Sequence, residues 1–129
     1  MTRVLVVDDH APFRKIACDL LRQHEDLQLV GEAANGLEAV RQVQALRPDL
    51  VLLDIGMPVM DGIEAARRIR VAAPDTKVMF VTIESSLEVV EEAFRSGAHG
   101  YVYKPRAHRD VLPVLDAIME EWLVGLPPA

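Results

Sequence analysis

The sequence holds a single cysteine, Cys18, so no disulfide can form within the chain and its fold must rest on a core alone. That cysteine usage fits a reducing cytoplasm, the expected location. Long apolar runs are missing as well, and none approaches the ~20 residues that span a bilayer. Residues 1–10, MTRVLVVDDH, reach two acids before any hydrophobic segment of leader length is complete. Neither a membrane anchor nor secretion is expected. Basic residues are in deficit, with 14 Lys and Arg against 20 Asp and Glu and a formal net charge of -6. A phosphate backbone calls for a basic stripe, so this segment is not expected to bind nucleic acid.

What is present is an ordinary globular balance: 129 residues, 50% hydrophobic and 26% charged. A chain this long forms one domain and buries roughly two thirds of the surface its unfolded form exposes. Apolar clusters that read as buried strands recur at 3–7, 27–33, 50–53, 77–81 and 100–102. Between them the apolar spacing turns helical. Phe13, Ile16, Ala17, Leu20 and Leu21 mark a first helix, and Leu37, Val40, Val43 and Leu46 a second. Ile63, Ala66, Ile69 and Ala73 mark a third, Leu87, Val90, Phe94 and Gly97 a fourth, and Val111, Leu115, Ile118, Met119 and Trp122 a fifth. Strict alternation predicts a parallel sheet with helices on both faces.

Turn residues set the boundaries. Asn35-Gly36 opens the second helix, Arg47-Pro48 closes it, Asp61-Gly62 opens the third, and Ala73-Pro74 precedes the fourth strand. Pro113 is expected in the first turn of the fifth helix with Asp110 as its N-cap, because there a missing N–H has no intrahelical partner to lose. The closing Gly-Leu-Pro-Pro-Ala is expected to end that helix.

In an open α/β sheet, ligands bind at the carboxyl ends of the strands, where the strand order reverses. Strand one runs into Asp8 and Asp9, strand three into Asp54, strand four into Thr82, and strand five is followed by Lys104-Pro105. With order 2-1-3-4-5 the three aspartates meet in one crevice. Carboxylates so close repel one another, and a hard divalent ion with all-oxygen ligands, Mg²⁺ or Mn²⁺, relieves the repulsion. One aspartate can then attack phosphorus, while Thr82 and Lys104 serve the phosphoryl oxygens. Taken singly, each residue has a plainer explanation: a turn aspartate, a strand threonine, a solvated lysine. Their conjunction at four strand ends is what points to phosphoryl transfer.

The blocks VLVVDDH, LVLLDIGMPVMDG, VMFVT and GAHGYVYKP resemble the signature segments of receiver domains of bacterial two-component response regulators, over nearly the whole chain. The resemblance implies a flavodoxin-like (βα)5 three-layer sandwich with sheet order 2-1-3-4-5, and a receiver over residues 3–123 followed by a tail at 124–129. It implies that Asp54 is phosphorylated by the phosphohistidine of a sensor histidine kinase or phosphotransfer protein. By the same resemblance Asp9 binds Mg²⁺ directly, Asp8 acts largely through water, and the Gly56 carbonyl completes the protein ligands alongside Asp54. Thr82 and Tyr101 correspond to the family's switch pair, although Tyr101 also reads as a half-buried strand-edge aromatic. The acids Glu84, Glu88, Glu91 and Glu92 read as the solvated face of the fourth helix.

Ile83 departs from the small residue common after the switch threonine, and Gly56 carries no side chain to position water. Both are expected to modulate access and slow hydrolysis. The protein is expected to be a signalling phosphoacceptor and not an enzyme. GAHGYVYKP and DVLPVL further resemble receivers joined to LuxR-type DNA-binding domains, so the expected partner is a downstream protein target or an output domain missing from this segment, with homodimerisation as a further option. The rival readings are weaker. An aspartate-nucleophile phosphatase needs an acid two residues after Asp54, where Gly56 stands, and a flavin site needs a hydroxyl- and glycine-rich loop where Asp8-Asp9-His10 stands. An interaction module of the same fold that is not phosphorylated remains the alternative.

Overall fold

The computed structural model describes residues 1–124, with side chains described through residue 120. Elements alternate as the pattern requires: β1 (Thr2–Val7), α1 (Ala11–Arg22), β2 (Leu27–Ala33), α2 (Gly36–Leu46), β3 (Leu50–Leu53), α3 (Gly62–Ala72), β4 (Lys77–Thr82), α4 (Leu87–Arg95), β5 (Gly100–Tyr103) and α5 (Ala107–Val124). All paired strands are parallel, in the order β2-β1-β3-β4-β5. The architecture is the flavodoxin-like three-layer sandwich.

The two-residue period of a strand divides the sheet's side chains between two cores. Leu5, Val7, Val51, Leu53, Val78 and Phe80 pack against Ala39 and Val43 of α2, Ala65, Ala66 and Ile69 of α3, and Ala93 of α4. Their neighbours Val4, Val6, Leu50, Leu52, Met79, Val81 and Val102 face Ala17, Cys18 and Leu21 of α1 and Val111, Leu115 and Ile118 of α5. Because both faces are covered, the central strands read as continuous apolar runs and not as alternating ones.

Caps follow the sequence signals. Asn35 Oδ1 accepts the Glu38 N–H at 2.9 Å while its amide donates to the Glu38 carboxylate at 3.0 Å, and Asp61 Oδ1 accepts the Glu64 N–H at 2.9 Å. Gly62 allows α3 to start directly against the loop after β3. A Cβ there would overlap the Asp54 carbonyl, and the Gly62 N–H donates to the Ile55 carbonyl at 2.8 Å.

Three expectations are corrected. The fifth helix begins at Ala107, behind a 3₁₀ turn over Lys104–Arg106, so Asp110 is not its N-cap and Pro113 lies inside the helix. Pro113 and Arg109 are both exposed, so the carbonyl that the proline leaves unpaired faces the solvent side. In the fourth helix the buried residue is Ala93, whereas Leu87 is 72% and Phe94 46% exposed, and Gly97 lies beyond the helix at φ +109°. Glu84 precedes that helix and so is not part of its solvated face, on which Glu88 and Glu91 are exposed and Glu92 is half-buried and paired with Arg67 of α3 and with Arg95. The Trp122 side chain and the Gly-Leu-Pro-Pro-Ala ending lie outside the described residues.

Candidate functional site

The strands deliver their next residues to one rim because a parallel sheet points every carboxyl end the same way. Asp8 follows β1, Asp54 follows β3, Thr82 ends β4, and Lys104 follows β5. The Asp54 N–H donates to the Val7 carbonyl at 3.0 Å and the Asp8 N–H to the Ala33 carbonyl at 3.0 Å, so the sheet ladder itself sets the carboxylates side by side. One oxygen from each of Asp8, Asp9 and Asp54 lies within 4.8 Å of the other two.

Lys104 bridges two members of the cluster. Its Nζ is 2.9 Å from Asp8 Oδ2 and 3.1 Å from Asp54 Oδ2. The second oxygens are held by backbone: Asp8 Oδ1 accepts the His10 N–H at 2.9 Å, and Asp54 Oδ1 accepts the Ile55 N–H at 2.8 Å. Burial pushes the Asp8 carboxyl above its ordinary value, reinforced by the Asp54 charge and opposed by the hydrogen bonds from Lys104 and His10. Burial also works against the Lys104 ammonium, but its hydrogen bonds and charge interactions with Asp8 and Asp54 together outweigh it, and the ammonium is held above its usual range.

Three carboxylates and one ammonium leave an excess of negative charge in an all-oxygen donor set. That chemistry fits a hard divalent cation. Asp8 and Asp54 are almost wholly buried while Asp9 is exposed, which leaves the cluster open on one side. A crevice of about 440 Å³ opens there, lined by Asp9, His10, Phe13, Asp54, Gly56, Thr82, Ile83, Glu84 and Lys104.

The residues singled out in the sequence are thus largely brought together. Ile83 stands at the crevice wall, 67% exposed. Gly56 lines it too, with open space where a side chain would project. Tyr101 is not among the lining residues; its ring packs near Phe80 and Phe94, with centroids 6.3 and 6.4 Å away. Burial, then the charges of Glu84 and Asp54, push the Tyr101 phenol upward. Three lining residues escaped sequence reasoning, His10 among them, whose Nδ1 also accepts the Phe13 N–H at the start of α1. Phe13 reads as core filler by its helical spacing but lies against Lys104, and Glu84 contributes its backbone, which no side-chain pattern reveals.

Residues 4–116 match the family described as the response regulator receiver domain. A relative from Nocardioides, named protein-glutamate methylesterase/protein-glutamine glutaminase, is 47% identical over 80% of this chain and 29% of its own length. The chain therefore spans less than a third of that relative. Among solved structures, the response regulator domain of Thermotoga maritima CheB superposes with a TM-score of 0.83 at 38% identity, covering 93% of this chain and 95% of that one. A LuxR-family two-component response regulator from Aurantimonas gives a TM-score of 0.88 at 31% identity, covering 93% and 86%. The enzyme names among these relatives overturn the expectation of a protein that is not an enzyme. No helix among the described residues is long and apolar enough to cross a membrane.

Proposed function

Because the chain belongs to the response regulator receiver domain family, we propose that it accepts a phosphoryl group on Asp54 from the phosphohistidine of a sensor histidine kinase or phosphotransfer protein. A carboxylate oxygen of Asp54 forms the new P–O bond, the P–N bond to the donor imidazole breaks, and the imidazole leaves with its nitrogen lone pair and takes up a proton. The observation that carries this reading is the position of Asp54, held by backbone on one oxygen, paired with Lys104 on the other, and open to the crevice.

Asp8, Asp9, Asp54 and the Gly56 carbonyl would hold Mg²⁺ or Mn²⁺, which when bound supplies charge neutralisation between the carboxylates and the incoming phosphoryl oxygens. Lys104 holds a fixed positive charge where phosphoryl charge builds up. The Thr82 hydroxyl hydrogen-bonds a phosphoryl oxygen and thereby couples to Tyr101 through Glu84, whose N–H donates to Thr82 Oγ1 at 3.3 Å and whose carbonyl accepts from Tyr101 Oη at 2.6 Å. Those two bonds support the pair as a switch that remodels the face made by α4, β5 and α5. We place the receiver over residues 3–123; of the expected tail at 124–129, Val124 continues α5 and the rest lies outside the described residues. Output passes to a downstream protein target, to an output domain of a longer chain, or to a second copy.

Mass spectrometry after incubation with a phosphoramidate and Mg²⁺ tests the proposal. A gain of one phosphoryl group in the wild type that is absent in Asp54→Asn is expected. No gain in the wild type leaves an interaction module of the same fold.

A further inference from the structure

Phe13 lines the crevice and has no part in the chemistry above. It comes from the first turn of α1, where the His10 Nδ1 accepts its N–H at 3.3 Å. Half-buried against the core between the sheet and the α1 and α5 helices, it also borders a much smaller space that Asp8 and Asp54 line. Lys104 Nζ lies 4.7 Å from its ring centroid, over the ring.

We infer that Phe13 is a positioning residue for Lys104, holding its ammonium toward the phosphoacceptor through the ring face; this rests on the phosphoacceptor reading of Asp54 and deepens it. The ammonium has three N–H groups on a flexible four-carbon stem. Asp8 and Asp54 accept two of them, and two carboxylate contacts on one side do not by themselves keep the head from swinging out to water. The Phe13 ring covers it from the α1 side, where the negative face of an aromatic attracts a cation most strongly once water is excluded. The Lys104 side chain is only 12% exposed. An aliphatic residue of similar size would fill the same space without that attraction. The ring thus leaves one N–H for a phosphoryl oxygen and fixes where it points, which is the kind of preorganisation that lowers a charge-developing transition state.

The test compares wild type, Phe13→Tyr and Phe13→Leu, with Phe13→Met taken if Phe13→Leu does not fold. Phosphoryl incorporation from phosphoramidate with Mg²⁺ is timed by mass spectrometry, and the Lys104 ε-methylene proton shifts are read by NMR. The aliphatic variant is expected to incorporate about tenfold more slowly and to lose the upfield ring-current shift of Lys104. Phe13→Tyr, which keeps the ring face, should retain both. An aliphatic variant that folds and reacts at the wild-type rate overturns the role, as does a Phe13→Tyr variant as slow as the aliphatic one. A wild type that gains no phosphoryl group overturns the phosphoacceptor reading itself and this role with it.

Discussion

The Tyr101 hydroxyl donates a hydrogen bond to the Glu84 backbone carbonyl at 2.6 Å. It ties the β5 edge to the loop after β4, whose next contact is the Thr82 hydroxyl. Tyr101→Phe removes this one bond and little else. The expected loss is about 0.5–1.5 kcal/mol, read by urea denaturation, together with faster amide exchange at Glu84. Unchanged exchange at Glu84 would show that the loop is held by other contacts.

Lys104 offsets two carboxylates that are almost entirely buried. Removing the cation leaves Asp8 and Asp54 facing each other without compensation. Lys104→Met should therefore cost about 3–5 kcal/mol when divalent cations are chelated. Adding Mg²⁺ should recover much of that loss, since the cation replaces the missing positive charge. Denaturation curves with chelator and with Mg²⁺ measure the difference, and a deficit that ignores Mg²⁺ would count against the acidic cluster as a cation site.

Val59 adopts φ +71° in the loop between β3 and α3 and is 77% exposed. A β-branched residue in the left-handed region is strained, and this one has little packing to lose. Val59→Gly is expected to raise stability by about 1 kcal/mol, seen as a higher melting temperature. A lower one would mean that the side chain makes a stabilising contact.

Burial, followed by the nearby Glu32 charge, pushes the Cys18 thiol up to about 11. The unfolded thiol titrates near 9, so between these two values the folded chain binds more protons than the unfolded one, and stability falls as pH rises. The contribution is complete below pH 9 and lost by pH 11, about 2–3 kcal/mol in all. Cys18→Ala is less stable at neutral pH because it leaves a cavity, but its deficit should shrink across that window. A constant deficit would show that the thiol does not titrate there.

Ile83 lines the open side of the crevice beside Thr82. Ile83→Ala should quicken both incorporation from acetyl phosphate and hydrolysis of the phosphorylated form severalfold, because both need a small molecule to reach Asp54. Rates measured on purified protein decide it, and a slower variant would assign the isoleucine a supporting role instead.

The sequence by itself determined the alternation of strands and helices, the caps at Asn35 and Asp61, and the convergence of Asp8, Asp9, Asp54, Thr82 and Lys104. These follow from local rules: the apolar period selects the element, a parallel sheet sends every strand end to one rim, and side-chain oxygens cap the helices they precede. Helical spacing marked the fourth helix by Leu87, Val90, Phe94 and Gly97, yet Leu87 and Phe94 are exposed, Gly97 lies beyond the helix and its buried residue is Ala93. Spacing reports which residues share a helix face, whereas the rotation of that face against the sheet depends on every neighbour it must fit. Pro113 was legible as a problem and its solution was not, because only the packed helix shows that the freed carbonyl lies on the solvent side. The backbone of Glu84 between Thr82 and Tyr101, and the ring of Phe13 over Lys104, were decided by tertiary structure alone. Tyr101 reaches Glu84, and Lys104 reaches Phe13, from separate segments of the chain, through groups whose residue type does not announce them, and no local pattern encodes such a meeting.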